Sequence, residues 1–178
     1  MVNRVLFPGR FQPFHLGHLH ALKELYESFD EIVIVIGSAQ EAYTCTNPFT
    51  AGERLEMIRL ALEHEGFDIR RFWLIPVPDL YKPIAWTAFV LGMVPKVDCV
   101  ASGNPQVIGL YEWLGLKVME IQHYKPHLYN GTIIRDLIAQ GLPWEDRVPK
   151  VVAEYIKRIN GDRRIINICK VLKKTYMH

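Results

Sequence analysis

An unbroken β-branched run, Ile32-Val33-Ile34-Val35-Ile36, constrains this chain more than any other segment. β-branched residues sit well on a pleated surface, and a run with no polar alternation suits a parallel strand covered on both faces. It follows a segment of helical period, Leu16 to Phe29, with Leu19, Leu22, Leu25 and Tyr26 on its apolar face. That segment in turn follows a short apolar run, Val5 to Phe7. One strand, helix and strand unit is therefore complete by Gly37.

The alternation continues. Thr50 and Glu53 have the spacing of a capping box, and Leu55, Ile58 and Leu62 supply the buried stripe of the helix they open. Phe72 to Val77 reads as a strand, Ile84 to Met93 as a helix after Pro83, and Val97 to Ala101 as a further strand. Ser102 to Pro105 turns into a helix over Gln106 to Leu114, Gly115 stops it, and Leu116 to Ile121 is a last strand. From Thr132 onward the pattern is helical, broken at Gly141-Leu142-Pro143 and at Asn160-Gly161, and ends in a basic amphipathic helix over Arg163 to Tyr176. This order predicts an α/β domain over residues 1–178, an open parallel sheet with right-handed crossovers and C-terminal helices. Ligands of such sheets bind beyond the carboxyl ends of the strands, where the strand order switches. Pro8 to His18, Gly37 to Pro48 and Ser102 to Pro105 are the loops expected to converge there.

Composition excludes several classes of partner. A formal net charge of +2 is too small to make nucleic acid or an acidic membrane the main partner. No apolar stretch is long enough to cross a bilayer, and Arg4 with the Gly9-Arg10 pair interrupts any apolar leader. The three cysteines, Cys45, Cys99 and Cys169, lie far apart with no paired spacing. That argues against a disulfide framework or a thiolate zinc site and suits a reducing cytoplasm.

The chemistry concentrates in Gly9-Arg10-Phe11-Gln12-Pro13-Phe14-His15-Leu16-Gly17-His18. Two imidazoles three residues apart share one face of a helix start, where unpaired N–H groups and the helix dipole attract anions. Three readings stand at this point: a polar surface turn, a zinc site lacking a third ligand, and a grip on phosphate. Arg10 adds a fixed positive charge. A second anion site is built by Asn130-Gly131-Thr132 ahead of Arg135, which alone would be a solvated helix residue. Trp86 is either a core residue or a ligand contact, and Gly103-Asn104 is either a turn with a cap or part of a pocket.

The ordered strings Gly9 to His18, Gly37-Ser38-Ala39-Gln40, Asn47 to Arg54, Ser102 to Pro105 and Tyr129 to Arg135 together resemble one family. They are similar to the archaeal type of nicotinamide-nucleotide adenylyltransferase, within the His-x-Gly-His nucleotidyltransferase superfamily. The resemblance implies a three-layer, Rossmann-like nucleotidyltransferase fold and a cytoplasmic homo-oligomer. It implies transfer of AMP from ATP to nicotinamide mononucleotide (NMN), giving NAD and pyrophosphate, with Mg²⁺. Other His-x-Gly-His transferases acting on phosphopantetheine or FMN, and a nucleotide sensor without turnover, are the alternatives.

The same resemblance assigns the residues. His15, His18, Arg10 and Arg135 would act on the phosphates, with Thr132 beside Arg135. Gly9, Phe11 and Gly17 would line the nucleotide site, and Gly17 would let adenine approach the helix start. Gly103 and Asn104 would hold adenine and ribose, with Ile134 flanking the base. Ser38, Ala39, Asp79 and Trp86 would form the mononucleotide pocket, Trp86 stacking on the nicotinamide. Thr46 stands where the family often carries an arginine for the acceptor phosphate, and Lys82 or Lys125 is the expected substitute. No metal ligand is assigned.

Overall fold

The computed structural model describes residues 2–175, with side chains described through residue 169. Strand β1 (Arg4–Gly9) leads to α1 (Leu16–Ser28) and β2 (Glu31–Ile36). After them come α2 (Ala51–His64), β3 (Phe72–Pro76), α3 (Pro83–Met93), β4 (Cys99–Ser102), α4 (Pro105–Trp113) and β5 (Val118–Glu120). Helices α5 (Gly131–Gln140), α6 (Lys150–Arg158) and α7 (Gly161–Thr175) complete the described chain, with 3-10 turns at Ile69–Arg71 and Glu145–Arg147. The five strands are all parallel, in the order β3-β2-β1-β4-β5. The order reverses direction between β1 and β4, so the switch point lies at their carboxyl ends.

Strand β2 shows why its sequence carries no polar alternation. Ile32, Ile34 and Ile36 point into a core shared with α1, α2 and the C-terminal helices, while Val33 and Val35 point into a second core under α3 and α4. All five are fully buried. Removing such a side chain from water contributes about 1.5–3 kcal/mol, and here both faces of one strand draw on it. The expected elements are all present, with ends displaced by a few residues. Helix α1 stops at Ser28 because Phe29 leaves the helix as an extended C-cap. The Thr50–Glu53 capping box forms in both directions, 3.1 Å from Glu53 N to Thr50 Oγ1 and 2.9 Å from Thr50 N to Glu53 Oε2.

The basic amphipathic C-terminal helix packs on the body of the protein. Arg164 donates to both oxygens of Glu53, each at 2.7 Å, and to Pro48 O at 3.1 Å, while its guanidinium lies 4.4 Å over the Tyr43 ring. Ile165 is fully buried. The side chains of residues 170–176 of the helix expected to end at Tyr176 lie outside the described ones. The same packing overturns the reading of the cysteines: Cys45 and Cys169 form a disulfide across 124 residues, leaving Cys99 free and buried. Sequence spacing carried no sign of it, because α7 returns to the 43–53 segment only in the folded chain. Cysteine usage is therefore no argument for a reducing compartment.

This crosslink closes a very long loop, so its loss is felt mainly in the unfolded state. Cys169→Ser, or reduction of the wild type with dithiothreitol, is expected to lower unfolding free energy by about 2–4 kcal/mol in denaturant titration. Equal midpoints with and without reductant would show that the two thiols are not bridged.

Candidate active site

At the switch point a cleft of about 680 Å³ opens, within the range of about 300–1,000 Å³ usual for small-molecule pockets. The ends of β1 and β4, the head of α1, the β2 exit loop, α3 and the head of α5 all contribute to it. The three loops expected to converge do so.

His15 is the N-cap of α1, and the paired imidazoles form a capping box of their own. His18 N donates to His15 Nδ1 at 3.3 Å, and His15 N donates to His18 Nδ1 at 3.2 Å. A ring nitrogen that accepts carries no proton, so each neutral ring holds its proton on Nε2. The rings stack with centroids 3.5 Å apart, and His18 is further enclosed by Phe11 and Phe14. Burial holds both histidines neutral. It pushes His15 from the ordinary 6.5 down to about 3, with a small contribution from His123, and pushes His18 well below 6.5, with help from His15. Two neutral, preoriented Nε2–H donors therefore face the cleft, in place of the charged pair that two histidines invite one to imagine.

Gly17 is glycine because His15 leans on it. A Cβ there would stand 3.1 Å from His15 Nδ1 and 3.3 Å from Tyr129 Cβ. A side chain at position 17 would therefore crowd the imidazole, while the Gly17 backbone lines the cleft. Gly103 has the same kind of reason: a Cβ would meet the His123 ring and Ile121 O at 2.7 Å. His123 contacts Gly103 O through Nε2 at 3.0 Å and lines the cleft, a third imidazole that no motif announced. Asn104 caps α4 by accepting from Gln106 N at 2.9 Å, and Gly9 and Phe11 line the wall beside it.

At the far wall, Asn130 caps α5 by accepting from Thr132 N. Arg135 is nearly buried and already engaged: it donates to Gln12 O at 2.6 Å, to Cys45 O at 3.1 Å and to Thr132 Oγ1 at 3.1 Å. It lines the cleft while bracing the β1 exit loop, so only part of its fork is free. Arg10, by contrast, is exposed at the cleft. Ile134 is fully buried in the core under α5 and does not reach the cleft, which corrects its assignment to the base.

The acceptor side is built around Ser38. Its N–H donates to Asp79 Oδ1 at 3.2 Å, Gln40 Nε2 reaches Asp79 Oδ2 at 3.4 Å, and Ala39 N donates to Val77 O. Asp79 thus holds the loop rather than standing free. Trp86 donates through Nε1 to Pro78 O at 3.0 Å, packs its inner part on the second core and keeps a wall of the cleft. It is thus both a partial core residue and a cleft-lining one. The Lys82 and Lys125 ammonium groups sit 4.9 and 5.2 Å over the Tyr81 and Tyr124 rings, and neither residue lines the cleft, so the expected substitute cation is not found there.

Besides His123, two residues that hold the loops of the site went unassigned in the sequence. Gln12 pairs twice with Phe49, donating to its O at 2.8 Å and accepting from its N at 3.0 Å. Arg54 is fully buried and donates to loop carbonyls. One signal was available for Arg54: it lies four residues before Ile58 and seven before Ala61, on the face that α2 buries. Phe11 and Ser38 adopt φ of 51° and 50°, a conformation that costs non-glycine residues about 1–3 kcal/mol and persists only where surroundings enforce it.

The family model described as cytidylyltransferase-like matches residues 6–137. A nicotinamide-nucleotide adenylyltransferase of Ignicoccus hospitalis is 49% identical over 168 residues, covering 94% of this chain and 98% of the relative. Relatives of the same name from Saccharolobus solfataricus and Pyrococcus horikoshii are each 45% identical. They cover 94% and 97% of this chain and 97% and 92% of their own lengths. Among solved structures, a bifunctional NMN adenylyltransferase/ADP ribose pyrophosphatase of Francisella tularensis, complexed with AMP and a manganese ion, superposes with a TM-score of 0.78. At 20% identity over 99% of this chain it shares the fold, and the match spans 56% of that longer chain.

The histidine pair makes stability depend on pH in a definite direction. The unfolded chain takes up protons near pH 6.5 that native His15 refuses until about pH 3 and native His18 also refuses well below 6.5, so this contribution is intact above pH 6.5 and is lost as pH falls below it. Urea titrations at pH 7.5 and 5.0 are expected to show a drop in the wild type that is smaller in His18→Asn. An equal drop in both proteins would mean that the ring is not held neutral by the fold.

Proposed function

Because the chain belongs to the nicotinamide-nucleotide adenylyltransferases of the cytidylyltransferase-like family, we infer that it transfers AMP from ATP to NMN, giving NAD and pyrophosphate. The observation that carries this reading is the pair of Nε2–H donors at the head of α1, at the sheet switch point, between Arg10 and the N-terminus of α5. Phosphoryl transfer asks the protein for position and for donors aimed at oxygens that gain charge.

A phosphate oxygen of NMN attacks the α-phosphorus, a new P–O bond forms, and the bond to the β-phosphate oxygen breaks. Its electron pair leaves with pyrophosphate. The acceptor phosphate is already ionised at neutral pH, so the step needs no general base, and two imidazoles held neutral suit that requirement. His15 and His18 donate to oxygens around the α-phosphorus without surrendering a proton. Arg10, exposed and mobile on its stem, meets the outgoing phosphates from one side. Thr132 and the free edge of Arg135 meet them from the other, with charge-assisted bonds that strengthen as pyrophosphate develops. Trp86 offers an indole face to the cationic nicotinamide ring, a favourable pairing once water is displaced.

Mg²⁺ fits as a partner of the triphosphate. Asp79, the carboxylate lining the cleft, is committed to Ser38 and Gln40, which leaves the ion to be carried mainly by phosphate oxygens. When bound, it would screen the triphosphate charge. We place the enzyme in the cytoplasm, where ATP is supplied. A homo-oligomer follows from the family resemblance, and Trp113 on α4, at 75% exposure, is the most exposed apolar side chain of the α3 and α4 layer available to a subunit contact. A monomeric mass by light scattering would remove that reading.

Purified protein supplied with ATP, NMN and Mg²⁺ is expected to form NAD and pyrophosphate in equal amounts; no NAD over a long incubation would reject the assignment. His18→Ala is expected to lower kcat at least about 100-fold with the fold retained by circular dichroism. Trp86→Ala is expected to raise the KM for NMN about tenfold, the equivalent of one lost cation–π contact, while the KM for ATP stays within about twofold. Equal rises for both substrates would take Trp86 out of acceptor recognition.

A further inference from the structure

Arg54 is a fully buried guanidinium in the second turn of α2, and its hydrogen bonds go to backbone rather than to a carboxylate. Nε donates to Thr50 O at 3.2 Å. Nη1 donates to Arg10 O at 2.8 Å and to Gly37 O at 2.6 Å, and Nη2 donates to Ser38 O at 3.0 Å. One planar group therefore holds the exit loop of β1, which carries Arg10, together with the exit loop of β2, which carries Ser38. Gly37 N also donates to Gly9 O at 2.9 Å, so the two loops already touch where the guanidinium grips them. Ser38 is gripped at both ends of its backbone, its carbonyl by Arg54 and its N–H by Asp79. Phe11 and Ser38, left-handed residues in each of these two loops, flank the contact.

We propose that Arg54 is a positioning residue that sets the ATP-side loop and the acceptor-side loop against each other, and so sets the line of attack at the α-phosphorus. The proposal rests on the adenylyltransferase reading. Helix α2 already packs through Met57, Ile58, Ala61 and Leu62, and an apolar residue would serve packing alone at lower desolvation cost than a buried charge. A fork of donors in one plane is what fixes several carbonyls at once, and lysine lacks it. Burial lowers the Arg54 pKa to about 10, with the Asp79 carboxylate acting the other way, so the group stays charged at neutral pH.

The test is kinetic, on the full chain, with ATP, NMN and Mg²⁺. Arg54→Lys keeps charge and stem and loses the fork; Arg54→Gln keeps donors and loses charge. In either variant, at a temperature where circular dichroism shows it folded, kcat is expected to fall about 100-fold, the scale of an ångström-sized misplacement. Both KM values are expected to stay within about threefold, because the groups that touch each substrate are unchanged. Wild-type kcat in a folded variant, a change confined to Tm, or failure of both variants to fold would each overturn the proposal, the last by making Arg54 a requirement of the fold. A wild type that makes no NAD would instead be a failure of the adenylyltransferase reading, and is scored before the variants are compared.

Discussion

Loops that leave a parallel sheet at its carboxyl edge carry carbonyl groups into a half-buried cleft, and each such carbonyl needs a donor. Here two buried guanidiniums supply them. Arg54 serves Arg10, Gly37 and Ser38, and Arg135 serves Gln12 and Cys45. Both come from helices, which are stiff, and both reach into loops, which otherwise would not be. The two hydrogen bonds between Gln12 and Phe49 complete the brace. The cleft thus has a rigid floor built from side chains of α2 and α5, and the residues proposed to touch substrate are carried by that floor.

The histidine pair follows the same economy. The Nδ1 atoms that cap the first turn of α1 are removed from chemistry, and this is what orients the Nε2–H groups outward. Capping, stacking and burial together decide the protonation state. A site of neutral donors polarises phosphate without competing for a proton, which suits an acceptor that arrives already ionised. Arg135 shows the complementary compromise, since a guanidinium that braces a loop can offer only its remaining edge to a ligand.

Much of this was legible in the chain. The β2 run announced burial on both faces, the Thr50–Glu53 spacing announced the start of α2, and the glycine-flanked histidines announced an anion site at a helix head. Other features had no local signature. Gly17 and Gly103 line the cleft, and nothing in the chain says that the His15, Tyr129 and His123 groups fill the space where a Cβ would go. Ile134 sits within a motif that includes pocket residues, but its helical phase turns it into the core. Asp79, read as a ligand contact, lines the cleft and is also the anchor of the Ser38 turn, a role its position in the sequence did not announce.

What the sequence determined by itself is the set of elements and their order, because propensity, period and capping act between residues a few positions apart. It also determined the family, through five strings in a fixed order. Only the tertiary structure decided which of those residues are free to meet a ligand and which are spent on holding the loops. The Cys45–Cys169 bond, the Arg164–Glu53 clamp and the reach of Arg54 all join segments distant in sequence. The physical reason is that a hydrogen bond or a buried charge is satisfied by whatever the fold brings within about 3 Å, and spacing along the chain carries no record of that neighbour.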